Sequence, residues 1–312
     1  MSTENLQDKI HKLRDQVNSS ICYKQGAWER KDDGDWSKLW TAVDNIEDTQ
    51  QAIDEYFSLK TFSRLAVYGL LQSMFVQQDA VSHLEKAIKI ATPDWKKDYP
   101  ELSKIRDIRN ETIGHPISTE KGSYVSISHT NNLDVLEYGL WSKDGFEHKT
   151  INLKDIINIQ HDLLVKEVKR IMNKIEEDEI RHKKNFKDNS LLKLLASTGY
   201  HIQKLWSFER SREYSKVNFE TLKSIYENFK EEIKKRFKID KVDEQGVQIP
   251  GLILSIQHIE KILPRIEKMV PMDSTVDQLD LDVYVESLDK SFDDLRKMAK
   301  EIDDEFNTSY EN

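Results

Sequence analysis

Pro100-Glu101-Leu102-Ser103-Lys104-Ile105-Arg106-Asp107-Ile108-Arg109-Asn110-Glu111-Thr112-Ile113-Gly114-His115-Pro116 is where the period of the chain changes. Before Pro116 apolar residues recur every three or four positions, the spacing of an amphipathic helix. After it they alternate, the spacing of a strand. Pro100 and Glu101 suit a first helical turn: one lacks an N–H that would go unbonded there, the other complements the helix dipole. Leu102, Ile105, Ile108 and Ile113 define the apolar face. At about 100° per residue, Arg109 falls between Leu102 and Ile105, in the middle of that face. Arg106 lies toward one edge and Asn110 beyond it. An unpaired buried charge is costly, so Arg109 needs an acid from the preceding helix, Asp79 or Glu85, or a face left open as a cleft or interface. Gly114 reads as a left-handed cap, and Pro116 blocks continuation. His115 follows within reach of the same rim.

Upstream, Asp54 to Ala91 reads as one long apolar helix closed by Pro93. Leu70, Val81, Met74, Val67, Phe75 and Tyr68 share its broad arc; Gln78 and Glu85 fall inside it and Asp79 at its edge. Buried polar groups need partners, so this helix faces something polar. Residues 4–21, with Leu6, Ile10, Leu13 and Val17, form an earlier helix, and another starts near Ser37 with Leu39, Val43 and Ile46 on one side. Trp28, Trp36 and Trp40 read as packing, since no basic residues alternate with them. Downstream, three strands are expected at 124–129, 135–141 and 146–151, joined at Asn131-Asn132 and Asp144-Gly145. Later helices span 155–184, 191–208, 218–237, 252–270 and 283–306; Pro264 should kink or interrupt the fourth, and 246–251 reads as a linker. The chain is thus mainly α, with a small three-stranded antiparallel β insert and a helical C-terminal region.

Composition agrees. Of 312 residues, 33% are charged and only 10 are Gly and 6 Pro, a balance that favours long helices. No apolar run is long enough to span a membrane and the N-terminus lacks a secretory signal, which points to the cytoplasm. The lone Cys22 excludes an internal disulfide and reads as a small buried residue. The net charge of −9 hides a pattern: −5 over 1–59, +2 over 60–116, −3 over 117–163, +7 over 164–238 and −10 over 239–312. That is not the overall basic face of a constitutive nucleic-acid binder. It allows a local basic groove, densest at Arg181-His182-Lys183-Lys184-Asn185-Phe186-Lys187, that an acidic tail could screen. A solvated, salt-bridged helix face is the competing reading, because Glu176, Glu177, Asp178 and Glu179 sit beside it.

The sequence has no phosphate-binding Gly-rich loop, no His-Glu-x-x-His, no paired Cys and no Gly-x-Ser-x-Gly. His83, His161 and His201 read as ordinary surface or core residues. Arg106-Asp107-Ile108-Arg109-Asn110-Glu111-Thr112-Ile113-Gly114-His115-Pro116 resembles the signature of HEPN domains, an arginine, often with a polar neighbour, and a histidine a few residues on. Tyr68 to Ala80 is similar to the long second helix of bacterial members, and the resemblance covers about residues 40–116. It implies a HEPN-like helical bundle over 1–185, with the β insert at about 122–152, followed by a helical region over 186–312. It further implies a metal-independent endoribonuclease with no cofactor, of the kind found in toxins and anti-phage effectors. Its partners would be an RNA substrate, a second copy in a homodimer, and a neutralising antitoxin or defence-system partner. Arg109 and His115 would be the catalytic pair and Asn110 a supporting residue, with Arg106, Asp79 and Glu85 around them. A guanidinium fork can hold phosphoryl oxygens, and histidine is the side chain suited to proton exchange near neutrality. The alternative is a non-catalytic HEPN-like module that binds nucleotide, RNA or protein. A further expectation is that removing the acidic tail, residues 274–312, raises RNA affinity.

Overall fold

The computed structural model describes residues 5–23, 35–118, 123–128, 132–206, 212–243, 249–269 and 278–308. It is mainly helical with one small antiparallel sheet, and the chain divides into two compact units. The first comprises residues 1–23 and 31–176, the second 24–30 and 177–312.

In the first unit, α1 (Leu6–Ser19) buries Leu6, Ile10, Leu13 and Val17, the expected stripe. α2 (Asp35–Ser58) and α3 (Arg64–Ala87) form its central helix pair. The single helix expected from Asp54 to Ala91 is therefore two: α2 absorbs its start, the chain turns over 59–63, and Ser63 caps α3 by accepting from Ala66 N at 3.4 Å. α3 also stops before Pro93. Lys89 turns left-handed (φ 57°), and the N–H groups of Lys89 and Ile90 return to the carbonyls of Lys86 and Glu85, a Schellman ending.

As its sequence pattern predicts, α3 faces polar side chains. Gln78 donates to Gln160 Oε1 at 2.7 Å, and Gln160 donates to Gln77 Oε1 at 2.9 Å and to the Met74 carbonyl at 3.2 Å. All three glutamines are buried, and each such bond offsets the cost of taking an amide from water. A short helix, α4 (Trp95–Asp98), precedes α5 (Pro100–Arg109), which has Pro100 at its first position. α6 (Leu153–Lys184) follows the sheet.

The three expected strands are present as β2 (Ser123–Ile127), β3 (Val135–Ser142) and β4 (Gly145–Asn152), in sequential antiparallel order. A two-residue strand, β1 (Ile117–Ser118), joins the edge by pairing Ile117 with Tyr124. In the β3–β4 hairpin the loop residues are Lys143 and Asp144; Gly145, with φ of 118°, already pairs with Ser142. Leu136 and Tyr138 of β3 and Ile127 of β2 are buried. His129 and Asn131, expected at a strand end and a turn, lie outside the described residues, as does Trp28. Trp40 has the Arg14 guanidinium 5.8 Å from its ring, in keeping with a packing role.

The second unit contains α7 (Leu191–Leu194), α8 (Thr198–Trp206), α9 (Arg212–Phe237), α10 (Pro250–Met269) and α11 (Gln278–Thr308). The expected helix at 191–208 is broken between α7 and α8. Pro264 does not interrupt α10: it lies on the exposed side, where water can satisfy the carbonyl its ring leaves unbonded. The acidic C-terminal stretch is not a detachable tail. α11 buries Leu281, Val285, Leu288, Phe292, Leu295, Ile302 and Phe306, so cutting at 274 would remove core rather than a screen.

The basic segment is also largely paired. Lys223 meets Glu267 at 2.8 Å, Lys230 meets Glu260 at 2.6 Å, and buried Arg236 meets Asp303 at 2.8 Å. His182 and Lys183, at the centre of the densest basic run, are themselves buried. Arg181 pairs with Asp178 and Lys183 with Glu179 at 3.5 Å, while Arg181 and Lys184 stay exposed, in keeping with a salt-bridged helix face. Cys22 is a buried thiol that forms no disulfide, and no helix among the described residues is long and apolar enough to cross a membrane.

Candidate functional site

α5 does not end in a left-handed cap. From Asn110 to Gly114 the helix widens into a π-helical turn, closed by the His115 N–H donating to the Asn110 carbonyl at 2.7 Å. Two local features favour the wider turn. The Thr112 hydroxyl donates to the Ile108 carbonyl at 2.7 Å, competing for the acceptor that an α-helical N–H would use. Glu111 is held from the sheet: Tyr138 OH donates to one oxygen at 2.7 Å and Lys149 Nζ to the other at 2.9 Å. Burial first, and then the Glu111 carboxylate, push the Tyr138 hydroxyl well above its ordinary pKa. The β insert therefore braces the turn that carries the motif. π turns recur at functional positions because they re-aim side chains that a regular helix would stack.

Arg109 is half-buried, not central in a core stripe: Ile108 and Ile113 are only partly covered, leaving Leu102 and Ile105 as the buried face of α5. Its Nε and Nη2 both donate to Gln72 Oε1, at 3.2 and 2.8 Å, and Nη1 donates to Asn110 Oδ1 at 2.9 Å. The guanidinium carbon lies 4.4 Å from the centroid of the Phe75 ring, and that of Arg106 lies 4.0 Å from the same ring. Arg106 is neutralised by Asp79 at 2.8 Å and Lys149 by Glu111. Among the described residues Arg109 meets amide oxygens and a ring instead of a carboxylate. Of the five guanidinium N–H groups, these bonds occupy three, leaving two for an anion.

Gly114 has no side chain where one would collide with Arg109. A Cβ there would lie 2.5 Å from Arg109 Nη1, so the guanidinium rests against the residue preceding His115. His115 is exposed, and no described residue hydrogen-bonds its ring. Gln72, Phe75, Glu111, Tyr138 and Lys149 were not foreseen. Glu111 stood inside the motif and could have been weighed as its anchor; the others come from distant elements without a local signal.

Neither acid expected to satisfy Arg109 does so. Asp79 goes to Arg106. Glu85 is six residues further along α3, about 9 Å of rise, and belongs to a different cluster. It is fully buried and ion-paired with Arg170, whose Nε also donates to Glu167 at 2.8 Å and Nη1 to the Ala91 carbonyl at 2.9 Å. Tyr99 donates to Glu167 as well. Burial, then the adjacent Glu167 carboxyl, raise the Glu85 pKa to about 8 against the pull of Arg170. Burial acts the same way on Glu167, but the hydrogen bonds it receives from Glu85, Tyr99 and Arg170 bring it below the usual range. One proton shared by two carboxyls, clamped by an arginine, is an arrangement that fixes structure.

Of the histidines set aside in the sequence, His161 Nε2 accepts the Leu6 N–H at 3.0 Å and His201 Nδ1 lies 2.8 Å from Asn218 Oδ1; both have structural partners. His83 instead lines an open cleft of about 330 Å³ between α2 and α3, together with Asp79. No cluster of three or more His, Cys, Asp or Glu suited to a metal ion occurs among the described residues. No protein-family model matches the chain, and neither a curated protein nor a solved structure matches it.

Proposed function

We propose that this chain is a HEPN-type endoribonuclease that cuts RNA without metal, with Arg109 and His115 as its catalytic pair. The observation that carries the reading is the state of Arg109. Its guanidinium is fixed by Gln72, Asn110 and the Phe75 ring, without a carboxylate, against the backbone next to exposed His115. A charged, oriented donor with two N–H groups remaining is suited to the phosphoryl oxygens of a reacting phosphodiester. In the reaction the 2′-oxygen bonds to phosphorus and the bond to the 5′-oxygen breaks. The 2′-hydroxyl loses a proton and the 5′-oxygen gains one; His115 serves this exchange.

The working form is a homodimer. Leu65 (80% exposed) and Tyr68 (44%) lie on the side of α3 that carries Gln72, so an apolar strip leads to the residues that hold Arg109. A neutralising or triggering protein from a toxin or defence system would act on this assembly. A second reading has its own support: nothing described orients the His115 ring, as would suit a module that holds RNA without cutting it.

Purified protein with mixed RNA decides between them. The nuclease reading expects cutting that survives chelator and leaves cyclic phosphate ends. His115→Ala should lower the rate by about 10²–10⁴-fold, and Arg109→Lys, which loses the planar fork, should fail comparably, both melting near the parent temperature. Light scattering should give a dimer at micromolar concentration. Cutting that persists in folded His115→Ala, or that stops with chelator, defeats the assignment; binding without turnover in the parent favours the second reading.

A further inference from the structure

We infer that the cleft between α2 and α3 is a nucleobase subsite, which takes an unpaired RNA base, guanine by preference, from a nucleotide neighbouring the one held by Arg109. The inference rests on the nuclease reading for its substrate but on separate residues for its geometry. The cleft encloses about 330 Å³, within the range of small-molecule sites. Its lining is contributed by one side of each helix: Thr41, Ala42 and Asn45 from α2, and Asp79, Ala80 and His83 from α3. Asn45 lies four and three positions after Thr41 and Ala42, and His83 four and three after Asp79 and Ala80, so each set shares one side of its helix. Ala42 and Ala80 are almost fully buried; with methyl side chains at these two positions and Val76 beside them, the lining there is small and apolar. The result is an apolar floor for the flat face of a ring, and polar groups above it for the ring's edge.

Asp79 links this cleft to the Arg109 site. Its Oδ1 receives Arg106 at 2.8 Å, yet the side chain remains 42% exposed. Arg106 in turn stacks on Phe75, the ring that also supports Arg109. From Gln72 to Asp79 the rise along α3 is about 10 Å, a separation suited to neighbouring parts of one RNA strand. A carboxylate only accepts hydrogen bonds, so the base in the cleft must offer N–H donors. Guanine offers two side by side, at N1 and the 2-amino group. The Asn45 amide and Thr41 hydroxyl can donate to its oxygen and ring nitrogen. His83, one helical turn beyond Asp79 and exposed, closes the far side.

The test uses the full chain with guanosine, adenosine, cytidine and uridine 5′-monophosphates and inorganic phosphate, by titration calorimetry. The same proteins are given a mixed-sequence RNA whose cut ends are sequenced. The parent should bind guanosine monophosphate saturably and more tightly than the other nucleotides or phosphate. Asn45→Ala and His83→Ala should each weaken that binding at least about five-fold, a loss typical of one hydrogen bond. Val76→Phe, which fills the cleft, should abolish it, and in all three variants the base preference at the cut sites should broaden. Absence of saturable nucleotide binding by the parent overturns the proposal, as does unchanged binding or unchanged cut-site preference in variants that melt like the parent. Cutting that continues with its preference intact after the cleft is filled sinks the subsite and leaves the nuclease standing. Guanosine monophosphate binding lost in the cleft variants, with no cutting by the parent, keeps the subsite and sinks the nuclease.

Discussion

Gly114 is constrained by space and not by backbone conformation, because it does not adopt a left-handed φ. The atom a methyl group would strike is at the far end of the Arg109 side chain, so the guanidinium gives way and not the backbone. Gly114→Ala should therefore shift unfolding by less than about 1 kcal/mol while displacing the guanidinium from Gln72 and Asn110. A misplacement near 1 Å can cost on the order of 10² in rate; calorimetry beside an RNA-cutting assay checks both halves. A large fall in melting temperature with activity retained would contradict this account. The motif from Arg109 to His115 stands out in the sequence because it is local. What holds Arg109 does not: Gln72 is 37 residues away along the chain, and a glutamine or a phenylalanine on a helix surface carries no mark of its partner. The error over Glu85 has the same origin, since helical stepping gives a residue's angle but not which neighbour lies opposite it.

Helix endings reveal a second kind of constraint. α3 and α9 both end in Schellman motifs with a lysine, not a glycine, in the left-handed position: Lys89 (φ 57°) and Lys238 (φ 51°). In α9 the Ile239 N–H returns to the Lys234 carbonyl at 3.0 Å, matching Ile90 to Glu85 in α3. A side chain in that conformation costs roughly 1–2 kcal/mol, part of which glycine recovers. Lys238→Gly should stabilise the protein by about 0.5–1 kcal/mol, read as a raised denaturant midpoint at unchanged slope. A lowered midpoint would mean that the lysine side chain contributes more than its backbone costs. The amphipathic stripes of α1 and α2 and the strand alternation were legible because periodicity over several turns averages out local noise. Lys89 as a stop was not legible, because lysine is common inside helices. The same holds for the turn at 59–63, whose Lys60, Thr61 and Phe62 lack glycine or proline punctuation.

At the scale of the whole molecule the two units should respond oppositely to pH. In the first, Glu85 has a raised pKa of about 8. The folded pair keeps one proton on Glu85 that the unfolded chain releases above its ordinary value near 4.5, so this contribution to stability declines from about there until it is gone above about 8. Below the ordinary value Glu167, held low, resists protonation and the contribution falls again. In the second, His182 donates from Nε2 to the Arg236 carbonyl at 2.6 Å, and burial holds its pKa below the usual imidazole value. There the unfolded chain binds the proton more readily, so stability is full above about pH 6.5 and declines as pH falls below it. Hydrogen exchange read unit by unit should show residues 177–312 loosening first on acidification and residues 31–176 on alkalinisation. Glu85→Gln should flatten the alkaline response and His182→Gln the acid one; parallel loosening in both units would refute the assignment. The π-helical turn has a consequence in genetic terms. Such a turn is an α-helix carrying one codon too many, and in-frame loss of a single codon between Asn110 and Gly114 would let the helix close regularly. His115 would then swing by about 100° around the axis, producing a chain that still folds, accumulates normally in its host, and is silent.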